Sequence, residues 1–412
     1  MLKQRLDELA ICGGAPAFAE KLHVGRPNIG DRARLLERIN TILDSRWLSN
    51  MGPFEQELER RIADMIGVKH CIAMCNATVA MEIAIRALDL TGEVIVPSLT
   101  FIATAHALQW QQITPVFCDI APATHNLDPA CVERMITPRT TGLIGVHLWG
   151  RACDTDALAE IAARRGLRVL YDAAHAFGCT HNGQMIGRFG DAEVFSFHAT
   201  KFMNAFEGGA VVTDDDELAR KIRLMKNFGF THYDQVDYIG TNGKMTEVAA
   251  AMGLTSLDSL AEFIAVNRRN YEQYRAELAN VPGLTLMPYD DGEQSNYQYL
   301  VVEVDEAETV LARDLFVQIL WAENVIARRY FYPGCHRMEP YRSYYPHAGL
   351  LLPETERMVE RLLVLPTGTA IAPDDITRIC AILRLAVSES AAVRARLQDG
   401  GVAQAQPALA RQ

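Results

Sequence analysis

No apolar stretch in this 412-residue chain approaches the length of a bilayer-spanning helix. Its first residues, "MLKQRLDELAICGGAP", contain no uninterrupted apolar core of the signal-peptide kind, so a cytoplasmic location and no membrane partner are expected. Basic excess is missing too. Acidic residues outnumber basic ones, the net charge is −11, and the signs are interspersed. A binder of phosphate backbones would show a basic face, so nucleic acid is not an expected partner. Nine cysteines are present without a C-x-x-C pair, and only Cys71 and Cys75 lie close in sequence. That spacing suits reduced thiols better than a disulfide framework or a zinc site, and no metal is expected. Nor does G-x-G-x-x-G follow an early strand, which speaks against a nicotinamide-dependent dehydrogenase.

What is there is an ordinary globular composition, 49% apolar and 22% charged, in a chain too long for one simple core. Helical spacing marks "DRARLLERINTILDS" (31–45) and "GPFEQELERRIADMIG" (52–67). Short apolar runs then alternate with helical stretches: "HCIAM", "EVIVPS", "TPVFCDI", "TGLIGVHL" and "LRVLYDAA". This is the pattern of a mostly parallel, buried sheet with helices on both faces. From Thr246 a long, broken helix is expected, then a smaller α+β unit. The expected partition is a large domain over 1–260, a small one over 261–390, and a disordered tail over 398–412.

Parallel sheets carry function at the carboxyl ends of their strands. Three features stand there. In "SFHATKFMNAFEGGAVV", Lys201 is the only lysine or arginine between Arg188 and Arg220, and its neighbours are Phe202, Met203 and Phe206. A solitary lysine among apolar side chains either snorkels or does chemistry. In "VLYDAAHAFG" a strand ends at Asp172 and leads to His175. In "CNATVAMEIAI" a strand passes into a helix at Asn76, Ala77 and Thr78, where free N–H groups and the helix dipole favour an anion. An amine, a carboxylate and an anion cradle on one sheet edge are the three needs of a pyridoxal phosphate site. Taken singly, each has a plainer reading: a surface lysine, a capping aspartate, a common helix start.

From here the motifs become familiar. "EVIVPSLTFIATAHAL", "PVFCDIAPATHNLDP", "GVHLWGRACDTDAL", "YDAAHAFG", "GRFGDAEVFSFHATK" and "EGGAVVTDD" occur in order, and the chain resembles the DegT-type sugar aminotransferases. The resemblance implies the fold type I architecture of aspartate aminotransferase and pyridoxal 5'-phosphate as cofactor. It implies that Lys201 forms the Schiff base, Asp172 pairs with the ring nitrogen, and His175 meets the ring hydroxyl where the family usually has glutamine. Phe101 would stack on the ring, and Ala77, Thr78 and Ser196 would bind the phosphate. Asn242, in "GTNGKM", matches an asparagine given by the partner subunit, which implies a homodimer with shared sites.

With "NFGF" and "YFYPGCH", the chain looks most like the 4-aminotransferases of dTDP-4-dehydro-6-deoxyglucose in deoxyaminosugar and antibiotic biosynthesis. The implied substrates are L-glutamate and a nucleotide-sugar, with contacts expected from Arg26, His198, Lys226, Arg329, Tyr332 and His336. Two departures bear on substrate detail: His198 stands where a tyrosine is usual, and Lys244 where an arginine is. Rival readings are an aminotransferase for a 3-ketosugar or a cyclitol ketone, and a pyridoxal phosphate-binding regulator without turnover.

Overall fold

A computed structural model describes residues 2–399 of the chain. The expected tail falls outside these residues from position 400 onward, while 398 and 399 still end the helix Ser390–Asp399.

Local signals in the sequence build the first helices. Asp31 accepts hydrogen bonds from the N–H groups of Ala33 and Arg34 and starts α1, Arg32–Ser45. Pro53 opens α2, Pro53–Ile66, and Gly67 closes it at φ 82°, a left-handed conformation that glycine adopts without strain. Their apolar faces (Leu35 and Ile42; Leu58, Ile62 and Ile66) are buried.

The short apolar runs form a seven-stranded sheet: β1 His70–Met74, β2 Glu93–Pro97, β3 Thr114–Cys118, β4 Thr140–Val146, β5 Arg168–Asp172, β6 Ala192–Ser196 and β7 Gly209–Thr213. Their spatial order is β1-β7-β6-β5-β4-β2-β3. All pairs are parallel except those of β7, which runs antiparallel to both β1 and β6. The reversal has a consequence for function. The start of β7 lies at the carboxyl edge of the sheet, where Gly209 pairs with Met74 on one side and Ser196 on the other. The loop carrying Lys201 therefore leaves and re-enters the sheet on the same edge as the ends of β1 and β5.

The broken helix is present as Glu247–Asp258 followed by Leu260–Leu278, bent by 59°. Its first half is almost wholly buried. Among the described residues no single helix is long and apolar enough to cross a membrane. The C-terminal unit is a three-stranded antiparallel sheet, Leu284–Leu286, Leu300–Val304 and Leu362–Leu365, covered by helices that include Arg313–Ala322 and Pro373–Ser388. One expected boundary differs. The first 23 residues were assigned to the large domain, yet Leu9, Phe18 and Leu22 pack into the core of the C-terminal unit. Leu22–His23 also pair in parallel with Val325–Ile326, and Lys3 forms an ion pair with Glu323. Long-range pairing of a short segment leaves no periodic trace in sequence.

Candidate active site

Asp172 ends β5 between Val146 and Val194. Its Oδ2 accepts from Thr104 Oγ1 at 2.8 Å and its Oδ1 from the N–H of Ala174 at 3.1 Å. Burial pushes its pKa up, while these two donors and the charge of Lys201 push it back down. The carboxylate is thereby fixed in place yet still short of a full charge partner.

Lys201 follows a tight turn in which its N–H donates to the carbonyl of His198. Phe202 and Met203 beside it are buried and anchor the loop. Its Nζ donates to Tyr299 Oη at 3.2 Å, not to Asp172. Loss of solvation lowers its pKa from 10.5 to about 8, with the Asp172 charge opposing the shift. Near neutrality roughly a tenth of such an amine is free base, against well under a thousandth for an ordinary lysine, and the free base is the state a nucleophile or proton acceptor requires.

His175 is buried, and its Nδ1 accepts from the N–H of Trp149 at 3.3 Å. Its ring stacks with Trp149 and Phe331. Burial and the nearby Lys201 charge hold its pKa well below the ordinary histidine value. Since Nδ1 accepts, the proton of the neutral ring sits on Nε2, which makes His175 a fixed donor there.

At the end of β1, Asn76 caps the helix α3, Ala77–Ala87, by accepting from the N–H of Val79. The N–H groups of Ala77 and Thr78 have no intrahelical acceptor and face out of the helix start. The adjoining backbone is unusually close. A Cβ placed on Gly209 would lie 2.6 Å from Ala77 N and 2.7 Å from the Asn76 carbonyl carbon. Only glycine lets β7 come so near, and Ser196 sits opposite it in register. Small residues, free amides and a hydroxyl on one spot fit a phosphate group, and the amine and carboxylate fit the two ends of a pyridine aldehyde. Phe101 starts the helix α4, Ile102–Gln109, and is 57% exposed, its ring 6.2 Å from that of Phe331.

The sequence profile of the DegT/DnrJ/EryC1/StrS aminotransferase family matches residues 30–384. The chain belongs to that family.

Over 363 residues the chain is 34% identical to the dTDP-4-amino-4,6-dideoxy-D-glucose transaminase of Escherichia coli, covering 87% of this chain and 97% of that one. It is 35% identical to the GDP-perosamine synthase of Caulobacter vibrioides, covering 88% and 97%. Among solved structures it matches DesI, crystallised in the presence of its TDP-sugar product, with 54% identity and a TM-score of 0.92, covering 96% of this chain and all of that one. The fold is the type I fold of pyridoxal phosphate enzymes, and the chain is a sugar aminotransferase that uses this cofactor.

Some expected substrate contacts lie elsewhere. Lys226 is buried behind the sheet, its Nζ 2.7 Å from Glu55, 3.2 Å from Glu59 and 3.0 Å from the Ala73 carbonyl. Burial and three oxygen partners suit a structural cation rather than the expected substrate contact. His336 is also buried, held between Ser98 at 2.6 Å and Glu356 at 2.7 Å, so it pins a loop and offers nothing to a nucleotide. Arg329 is half-buried and engaged by Asp314 at 3.0 Å. Its guanidinium lies over the Tyr332 ring. Arg26 is exposed, and His198 keeps an open side beside Thr200 and Glu207. Asn242 bridges to Asn227, and the carbonyl of its neighbour Gly243 accepts from the Cys75 N–H, which sets this loop beside the end of β1.

The sequence reading missed Tyr299, Thr104, Trp149 and Phe331. Each meets the site through a contact made across the fold, and "YQYLVVEV" or "LTFIATAHAL" carries no sign of it. The order of aromatic residues before a strand was the only available cue.

Proposed function

We propose that the enzyme moves the amino group of L-glutamate to the C4 ketone of dTDP-4-dehydro-6-deoxyglucose, giving dTDP-4-amino-4,6-dideoxyglucose. The observation that carries the proposal is the desolvated Lys201 amine in the field of the Asp172 carboxylate, on the sheet edge that also carries Ser196 and the Ala77–Thr78 helix start. The choice of a thymidine-linked 4-amino sugar is supported by the names of the E. coli relative and of the DesI structure.

When bound, pyridoxal phosphate supplies an aldehyde that takes up and returns an amino group, and a protonated ring that accepts electrons. The chain's own groups do the rest. Ala77, Thr78 and Ser196 would hold the phosphate. Asp172, fixed by Thr104 and Ala174, would keep the proton on the ring nitrogen. His175 would donate to the ring hydroxyl, and Phe101 would cover a ring face. Lys201 Nζ would take the proton from the glutamate α-carbon and, in the second half of the cycle, give one to C4 of the sugar, a general acid–base contribution of roughly 10²–10⁴-fold.

We also infer a homodimer, with Asn242 completing the partner's cradle, in the cytoplasm. Supporting the dimer, Phe228, Phe230, Tyr233, Val236 and Ile239 are exposed together on the segment leading to Asn242. An apolar group of that size on one hairpin suits contact with a second copy.

Purified protein reconstituted with pyridoxal phosphate should be yellow. L-Glutamate should bleach it, and dTDP-4-dehydro-6-deoxyglucose should restore the colour with a C4 amine seen by NMR. Restoration only by a 3-keto isomer or a cyclitol ketone would replace the substrate assignment. Colour that ignores glutamate would point to a regulator.

A further inference from the structure

We propose that Tyr299 is a positioning residue for the released lysine, holding the Lys201 amine as an ammonium and as a free base in turn. The inference rests on the aminotransferase reading above.

Any lysine that forms and breaks an imine passes through a free amine, and a free amine in a dry cleft needs a partner. Lys201 Nζ lies 3.2 Å from Tyr299 Oη. Among the described residues no other side chain hydrogen-bonds Nζ. Its nearest rivals are engaged: Asp172 accepts from Thr104 and Ala174, and His175 Nδ1 accepts from Trp149.

A phenol suits the task better than a carboxylate. Its oxygen accepts from an ammonium N–H, and its O–H donates to a neutral amine. Lys201 must visit both forms when it takes a proton from the glutamate α-carbon and later gives one to C4 of the sugar. Tyr299 keeps its own proton throughout, so the transferred proton resides only on Nζ or on carbon. Burial holds the phenol's pKa well above its ordinary value, which keeps it protonated. An aspartate at the same place would favour the ammonium alone and hold it there.

Tyr299 is also rigidly placed. Its N–H donates to Tyr289 Oη at 3.3 Å, and its carbonyl accepts from the same hydroxyl at 2.9 Å. Its ring is wedged against His175 at 4.2 Å, Trp149 at 5.4 Å and Tyr330 at 6.4 Å. It stands one residue before the strand Leu300–Val304 of the C-terminal unit. The lysine and its resting partner thus come from the two halves of the chain, and packing of the smaller half sets where the amine waits.

The test is Tyr299→Phe, which removes one hydroxyl and keeps the ring. In the cofactor-free full-length protein, competitive acetylation of Lys201 across pH, read by mass spectrometry, should show its pKa shifted down by about half a unit to one unit. The direction follows because bonds to the charged form are the stronger ones. In the loaded enzyme, single turnover with L-glutamate should slow roughly 10- to 100-fold, with half-saturation unchanged within about two-fold. An unchanged labelling profile, or a slower rate explained wholly by weaker glutamate saturation, would overturn the proposal. Should Tyr299→Phe fail to fold, 3-fluorotyrosine at position 299 keeps the shape and weakens the acceptor. It should move the labelling pKa the same way by less, and no movement would overturn the idea. A wild type that never responds to glutamate would instead sink the function reading, while the labelling result still judges the Tyr299 contact.

Discussion

Lys226 and Lys201 are both shielded from bulk water, and their surroundings differ in one respect. Lys226 is enclosed by two carboxylates and a carbonyl oxygen. Lys201 has one neutral hydroxyl at hydrogen-bond distance and a carboxylate further off. A buried charge that is fully paired is inert and holds elements together, here α2 to the edge strand of the sheet. A buried amine left short of counter-charge gives up its proton easily and becomes reactive. Burial alone therefore does not mark a catalytic lysine; the missing partner does.

That contrast can be broken first at Lys201 itself. Lys201→Met should abolish turnover, a loss of at least roughly 10³-fold, with the thermal midpoint unchanged or raised, because an unpaired buried amine costs stability. A variant that retained turnover would end the assignment. Asp172→Asn should slow single turnover by roughly 10²–10³-fold, the scale for removing a preorganised charge, with phosphate binding kept. Near-wild-type rates in this variant would show that the ring nitrogen needs no carboxylate.

The other side of the contrast is tested at Lys226. Lys226→Met leaves Glu55 buried without its cation and should cost about 3–5 kcal/mol in urea unfolding. Its folded fraction should keep the visible absorption of bound cofactor. A mild stability effect would mean that the two carboxylates find other partners.

A subtler effect concerns pH. The folded pKa of Lys201, about 8, lies below its ordinary 10.5. Between those values the unfolded chain still holds a proton that the folded chain has released, so raising pH through that window favours folding. Measured against Lys201→Met, the cofactor-free wild type should gain stability from about pH 8 upward and level off near the ordinary lysine value. A flat difference would mean that the amine is solvated. Smallest of all, His175→Gln should lower turnover by less than about tenfold and leave the pH–rate profile in place, since His175 is neutral and acts as a donor. A lost limb in that profile would show that the histidine titrates.

Much of this architecture could be read from residue order. The alternation of short apolar runs with helical stretches fixes a mostly parallel sheet, because each strand buried on both faces must be apolar throughout. Strand ends then locate Asp172, Lys201 and the Asn76–Thr78 helix start without any knowledge of contacts. Lys226 and His336 show where that kind of reading stops. A lysine after a helix and a histidine in a loop look available on paper, and only their neighbours, Glu55 and Glu59 in one case and Ser98 and Glu356 in the other, show that they are spent.

By itself the order of residues determined the sheet and the edge to which Asp172, Lys201 and the Asn76–Thr78 helix start come, since these follow from periodicity and strand direction; the roles of the amine and the acid are what the family resemblance implies. Tertiary structure alone decided which buried lysine is paired, how His175 is held neutral, that the first residues belong with the last, and that Tyr299 meets the amine. The physical reason is that a charge, a proton and a hydrogen bond answer to whatever lies within a few ångströms, and those neighbours come from segments far apart in the chain.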